Sequence, residues 1–247
     1  MNDKNNGFSF KQFHVSHADC AMKVGTDGIL LGGWADVTTA FTVPLKVLDI
    51  GTGSGLISLM LAQRCQGYMQ AIAIDIDVSA CEQAKKNIDN SPWPSSIAVK
   101  HVALQAFTQA CKDEPAKFDL IVSNPPYFVH GQNFTDDARK IARHTGSLTH
   151  QELVDCALQL LAPNGRIALV LPYTSGCELV TYCQQLGNLQ ITCLNIKTTP
   201  KKPYKRMLIN IQRGDRDLEK QSLTIHESDG RYSNDYQRIT KEFYLKM

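Results

Sequence analysis

The chain has 247 residues, 43% hydrophobic and 20% charged, with a formal net charge of +2. This is the make-up of an ordinary soluble protein with one sizeable core. No apolar run approaches the ~20 residues that span a bilayer, and the polar start from Met1 to Gly7 lacks the apolar centre of a signal peptide, so a cytoplasmic location is expected. The small net charge neither demands nor forbids an anionic partner, because nucleic-acid binding depends on local basic patches.

The first forty residues hold a strand-like run at 8–15 and a short helical stretch near 26–35, expected to form a lid or cap (1–40) on a main domain spanning 41–247. Apolar, β-rich runs then recur at 45–50, 70–75, 97–102, 118–123 and 166–171, with helical periodicity at 54–65, 78–90, 149–161 and 175–186. Short apolar strands alternating with helices predict an α/β fold with a mostly parallel sheet covered on both faces. Runs at 189–196 and 206–212 around a Pro- and Lys-rich turn read as an antiparallel hairpin at one edge, giving seven strands. Residues 234–245 predict a closing helix with Tyr236, Ile239 and Phe243 on one face. Eight cysteines, at 20, 65, 81, 111, 156, 177, 183 and 193, include no Cys-x-x-Cys pair and are read as free, mostly buried thiols.

Val47-Leu-Asp-Ile-Gly-Thr-Gly-Ser-Gly55 ends the first long strand in a glycine turn that leads into a helix. Glycines there let the backbone approach a ligand without a Cβ clash, and the first helical N–H groups can face polar atoms. A dinucleotide fingerprint would require glycine at 56, where the chain has Leu56. A tight structural turn and NAD binding are the alternatives weighed. The spacing Asp49-x-Gly51-x-Gly53-x-Gly55 resembles motif I of class I S-adenosylmethionine-dependent methyltransferases, which have a Rossmann-like fold. That resemblance implies S-adenosylmethionine as cofactor, with Asp49 helping to orient its amino-acid end and Gly51, Gly53 and Gly55 passing beneath it. Asp75, closing the second long strand 20 residues after Gly55, is the candidate for a ribose diol; Asp77 is explained as a helix cap. The acid this family usually carries after the third strand is absent, since Ala103 and Leu104 occupy its place. Adenine contacts are therefore expected from backbone groups and apolar packing around Leu104.

The fourth long strand runs into Asn124-Pro125-Pro126-Tyr127-Phe128 on the same rim of the sheet. Prolines stiffen the turn, and carbonyl oxygens at Asn124 and Pro125 can accept hydrogen bonds from an amino group attached to a planar system. Tyr127, with Phe128 as a second wall, can stack on the ring. Accepting those hydrogens favours a pyramidal nitrogen attacking a methyl group, so catalysis would consist mainly of alignment and electrostatic stabilisation. Asn-Pro-Pro-Tyr resembles the amino-methyltransferases of adenine N6, cytosine N4, guanine N2 and the glutamine amide, and alone does not choose among them.

Phe8 to His14, Cys20 to Trp34 and Phe243 to Met247 resemble the ends of the bacterial tRNA1(Val) adenine-N6-methyltransferases. The resemblance implies N6-methylation of the adenosine immediately 3′ of the anticodon in valine tRNA, with Thr26 in the lid over the cofactor. Helix capping is the bland alternative for Thr26 and Asp27. Candidate RNA contacts are Lys197, Lys201, Lys202, Lys205 and Arg206, with Tyr204 among them, on the hairpin, Arg139 and Arg143 after the clamp, and Lys11 and Lys23. No metal is expected, because His14 and His17 lack partners at ligand spacing, and His144 is unassigned. The rivals are glutamine methylation of release factors, guanine-N2 methylation of ribosomal RNA, and a catalytically silent RNA-binding module.

Overall fold

A computed structural model describes residues 7–17, 23–37, 43–112, 117–125, 148–215 and 217–246. Pro126, Tyr127, Phe128, Arg139, Arg143, His144 and Cys20 lie outside the described residues. In chain order the elements are β1 (Gly7–Ser9), β2 (His14–Ser16), α1 (Thr26–Trp34), β3 (Leu45–Ile50), α2 (Leu56–Arg64), β4 (Met69–Asp75), α3 (Val78–Asp89), β5 (Ile97–His101), α4 (Leu104–Ala110) and β6 (Phe118–Ser123). They continue as α5 (His150–Leu160), β7 (Leu161–Pro172), α6 (Tyr173–Leu186), β8 (Leu189–Lys197), β9 (Tyr204–Arg213), β10 (Asp217–Thr224) and α7 (Asn234–Thr240).

The main sheet has eight strands in the order β10-β8-β9-β7-β6-β3-β4-β5. Only β9 runs antiparallel to its neighbours, β7 and β8. Strand residues alternate between two cores: Val47, Leu120 and Val122 face the side of α1, α2 and α7, while Leu48, Ile121 and Ile167 face α4, α5 and α6. Both faces are therefore covered, which is why these strands read as continuous apolar runs. The eighth strand, β10, was not expected from sequence. It lies parallel to β8 at the edge, so the β8–β9 hairpin is not itself the edge of the sheet.

The run at 8–15 is not one strand but a ribbon: Phe10 N–H bonds the Phe13 carbonyl at 2.9 Å and their rings stack 4.6 Å apart. The closing helix stops at Thr240, a turn short of expectation. Backbone N–H and ammonium of Lys11 take the carbonyls of Phe243 (2.9 Å) and Lys241 (2.7 Å), drawing the last turn onto the ribbon. Phe243 and Tyr236 are nonetheless fully buried, as their spacing predicted. Helix α3 buries Ala80, Cys81, Ala84, Asn87 and Ile88 at helical spacing, and Asp77 caps it by accepting from Ser79 N–H at 2.9 Å. Among the described residues the cysteines are free thiols, with Cys65, Cys81, Cys183 and Cys193 buried and Cys177 exposed. No helix among the described residues is long and apolar enough to cross a membrane.

One buried side chain couples the ribbon to the glycine loop. Asn87 Nδ2 donates to the carbonyls of Ser16 and Ser54, both at 2.8 Å, while its Oδ1 accepts from Ser16 N–H (3.0 Å) and Gln83 Nε2 (3.2 Å). Replacing it leaves several buried polar groups unmet, each costing about 1–3 kcal/mol. Urea unfolding of Asn87→Ala is expected to show a loss of about 3 kcal/mol against the parent protein.

Candidate active site

Strands β3 and β6 pair in parallel with Ile50 opposite Ser123, and the buried Ser123 hydroxyl donates to the Ile50 carbonyl at 2.8 Å. Gly51 and Asn124 therefore leave neighbouring strands at the same level of the C-terminal rim. The loop after β3 is tied to β4: Gly51 and Thr52 N–H donate to the Ile74 carbonyl (2.9 and 3.1 Å), and Gly53 N–H donates to Asp75 Oδ2 (2.9 Å). Gly51 and Gly53 have φ of +68° and +55°, which disfavours other residues, and a Cβ on either would meet open space. Segments 23–28 and 51–54, with Leu56, Asn124 and Arg206, enclose a cavity of about 290 Å³.

Charged side chains stand around this cavity. Asp27 Oδ2 accepts from Arg206 Nε at 2.8 Å, which ties α1 to the start of β9. Lys23 contributes a second cation to the wall. Asn124 Oδ1 is buried and, among the described residues, has no hydrogen-bond partner. Asp49 is fully buried and its Oδ2 accepts from the hydroxyls of Thr52 (2.8 Å) and Ser58 (2.7 Å), while Oδ1 has no partner among the described residues. Burial pushes its carboxyl up to about 6; the Ser58 and Thr52 hydrogen bonds pull against that rise and the charge of Asp75 adds to it.

Of the residues singled out from sequence, Gly51, Gly53, Thr26, Lys23 and Asn124 line this cavity together. Pro125 follows, buried, from the same strand end. Asp49 sits beneath the loop, holding Thr52 and the first turn of α2. Gly55 caps α2 and faces Ala84 and Ile88 of α3. Asp75 uses one oxygen on Gly53 N–H and the other on Asp77 N–H at 3.0 Å. The Leu104 side chain is buried in the core beside α4, so only its backbone is free to meet a ligand from this position. Capping does not account for Thr26 and Asp27, since the cap of α1 is Gly25 and Asp27 pairs with Arg206.

Among the expected RNA contacts, Lys201, Lys202 and Lys205 are exposed around the β8–β9 turn. Tyr204 already stacks on Tyr173 (5.2 Å), with the Lys197 ammonium 4.7 Å from its ring centre. Lys11 is bonded to the end of the chain, as described above. His14 bonds the Ser9 hydroxyl at 2.8 Å, and His17 accepts from Val24 N–H at 3.5 Å, so both serve the ribbon and its exit. Sequence reasoning missed Thr52 and Ser54 on the wall, and it placed Arg206 among the hairpin's RNA contacts rather than here. Ile76, immediately after Asp75, is an apolar residue left 65% exposed just beyond a strand end.

A family model described as methyltransferase small domain matches residues 37–197. A protein of Aeromonas hydrophila named tRNA1(Val) (adenine(37)-N6)-methyltransferase is 46% identical over 244 residues, covering 99% of each chain. The chain belongs to this tRNA1(Val) (adenine(37)-N6)-methyltransferase family. A family member of the same name from Yersinia pestis is 42% identical over 239 residues, covering 97% of this chain and 94% of that one. A solved structure described as a predicted O-methyltransferase from Agrobacterium tumefaciens shares the fold of this family member, with a TM-score of 0.69 at 17% identity, covering 88% and 96% of the two chains.

The raised carboxyl of Asp49 has a thermodynamic signature. Between its ordinary 3.8 and about 6, the folded protein holds a proton that the unfolded chain releases, so stability from the neutral carboxyl is present below pH 4 and lost as pH rises through 6. Urea titrations of the parent and Asp49→Asn are expected to show the stability difference moving by roughly 2–3 kcal/mol in favour of the variant between pH 4 and pH 7.

Proposed function

We propose that this chain transfers a methyl group from S-adenosylmethionine to N6 of the adenosine immediately 3′ of the anticodon in valine tRNA. The family relatives carry this substrate in their names, as adenine 37 of tRNA1(Val). The observation that carries the reading is Asn124 Oδ1, buried and without a partner among the described residues, at the wall of a cavity floored by the glycine loop.

The residues fit the cofactor. Gly51 and Gly53 leave room where side chains would project, and Lys23 beside the Asp27–Arg206 pair offers charges of both signs for an amino acid's carboxylate and ammonium. Asp75 retains lone pairs for a ribose diol, and Ile76 with the backbone around Leu104 offers an apolar side for the adenine. Asp49 acts through Thr52 and the first turn of α2, shaping the loop that carries the amino-acid end. When bound, S-adenosylmethionine would supply an electrophilic methyl group, its sulfonium sulfur leaving as a neutral thioether. Asn124 Oδ1 and the Pro125 carbonyl accept the hydrogens of the adenine amino group, localising its lone pair for attack, and the surplus proton leaves to solvent after the bond has formed. Tyr127 and Phe128 complete the clamp, and Tyr127 favours adenine over the guanine-N2 alternative. Lys201, Lys202 and Lys205, with Lys11, Arg139, Arg143 and Tyr204, supply the surface for the anticodon stem-loop. Residues 1–40 act as a cap of the same domain as 41–247, supported by the core that Phe10, Phe13 and Leu30 share with Val47 and Leu59. A tRNA substrate supports a cytoplasmic location.

Incubation with labelled cofactor and unmodified valine tRNA, followed by digestion to nucleosides, is expected to yield N6-methyladenosine. Absence of that nucleoside beside measurable cofactor binding would overturn the substrate. Asn124→Ala should lower kcat at least about 100-fold with cofactor affinity unchanged. A silent RNA-binding module would instead show no turnover for that substitution to remove.

A further inference from the structure

A second cavity of about 290 Å³ adjoins the first and shares Thr26, Asp27 and Arg206 with it. Its far side is formed by the start of β9 and by the segment after β10. That segment folds back as a hairpin in which His226 bridges Tyr232, and His226 N–H bonds the Thr198 carbonyl at 3.0 Å. The two loops are thus fastened together beside the cavity that holds Asn124.

The chemistry of this second cavity differs from that of the first. The rings of His226, Tyr232 and Tyr236 form a continuous stack, with centroids 4.8 and 5.0 Å apart and planes inclined by 24° and 28°. Tyr236 anchors the stack in the core, where its hydroxyl lies 3.1 Å from that of Tyr244. Tyr232 lies between the other two rings, so its 40% exposure is at the ring edge and the outer face of the stack is that of His226. His226 donates from Nδ1 to the Gly230 carbonyl (3.2 Å), which leaves Nε2 as an acceptor. Exposed Lys205 adds a cation at the rim. Flat rings, an edge acceptor and a neighbouring cation are the set used to hold an unstacked base and its phosphate. The volume is at the low end for a ligand site, suiting one base better than a whole nucleoside cofactor.

We infer that this second cavity receives the base of a nucleotide flanking the target adenosine, with the outer face of His226 as its stacking platform, Tyr232 holding that ring from behind, and Lys205 at its phosphate. The inference rests on the reading that the neighbouring cavity methylates an adenosine of tRNA. Splaying a neighbour out of the loop would free the target base from its stack and fix its depth against Asn124.

The test pairs protein variants with abasic RNA. A valine tRNA anticodon stem-loop is made intact and with an abasic site at the 5′ or the 3′ neighbour of the target adenosine, and its affinity is measured with the parent protein, Tyr232→Ala and Tyr232→Phe. One abasic site should weaken binding to the parent roughly tenfold or more. Tyr232→Ala should weaken binding of the intact RNA by a similar factor and become indifferent to that abasic site, whereas Tyr232→Phe should behave as the parent. Cofactor affinity and thermal midpoint, measured on all three proteins, separate loss of the platform from loss of the fold. Independent, additive effects of Tyr232→Ala and each abasic site, or no effect of either, overturn the inference while leaving methylation by the parent intact. Failure of the parent to methylate the intact tRNA overturns the underlying reading, and the inference with it.

Discussion

The parallel register between β3 and β6 is the constraint on which the active site depends. A slip of one residue would turn Val47 and Leu48 to the wrong cores, and a slip of two would displace Asn124 from the glycine loop by about 7 Å. The buried Ser123 hydroxyl makes that register specific, since its hydrogen bond to the Ile50 carbonyl forms only when the two strand ends are level. A loop that cradles a cofactor and a turn that grips an amino group are thereby brought together by ordinary sheet pairing, without a dedicated contact between their side chains.

The reversed strand contributes the other half of the surface. Because β9 runs against its neighbours, its first residues arrive at the rim where the parallel strands end, carrying Tyr204, Lys205 and Arg206 to the glycine loop's side of the molecule. Arg206 then meets Asp27 of α1, and the resulting pair belongs to both cavities. Below the loop the electrostatics run the other way: Asp49 is fully buried with one oxygen unpartnered among the described residues, and the two hydroxyls on its other oxygen offset only part of that burial. The carboxylate is tolerated where it shapes the backbone that the ligand rests on.

What could be read from sequence was mostly local. The parallel strands announced themselves as apolar runs because both sheet faces are covered, and α3 announced itself through the spacing of Ala80, Ala84 and Ile88 with Asp77 as cap. The edge strand β10 did not, because among Asp217 to Thr224 only Leu223 is buried and the charged remainder resembles a loop. Helix α4 lacks a side-chain cap at Ala103 and was passed over. Leu104 illustrates a different limit: its position was found from the motif order, but which way its side chain points depends on a helix that sequence did not reveal. Arg206 was taken for a member of a basic turn. Its partner Asp27 is 179 positions away, and no local pattern could connect them.

That separation bears on how the molecule comes into being. The glycine loop, Asp75 and Asn124 all lie at or before the middle of the chain, yet the wall opposite them needs Arg206, delivered by a strand that inserts between β7 and β8. Contacts of such long sequence separation close late, after the local units have formed. A nascent chain that has assembled its parallel strands thus already has the loop and the clamp but lacks an enclosed chamber. Completion of the reactive compartment is reserved for a chain whose sheet is fully built.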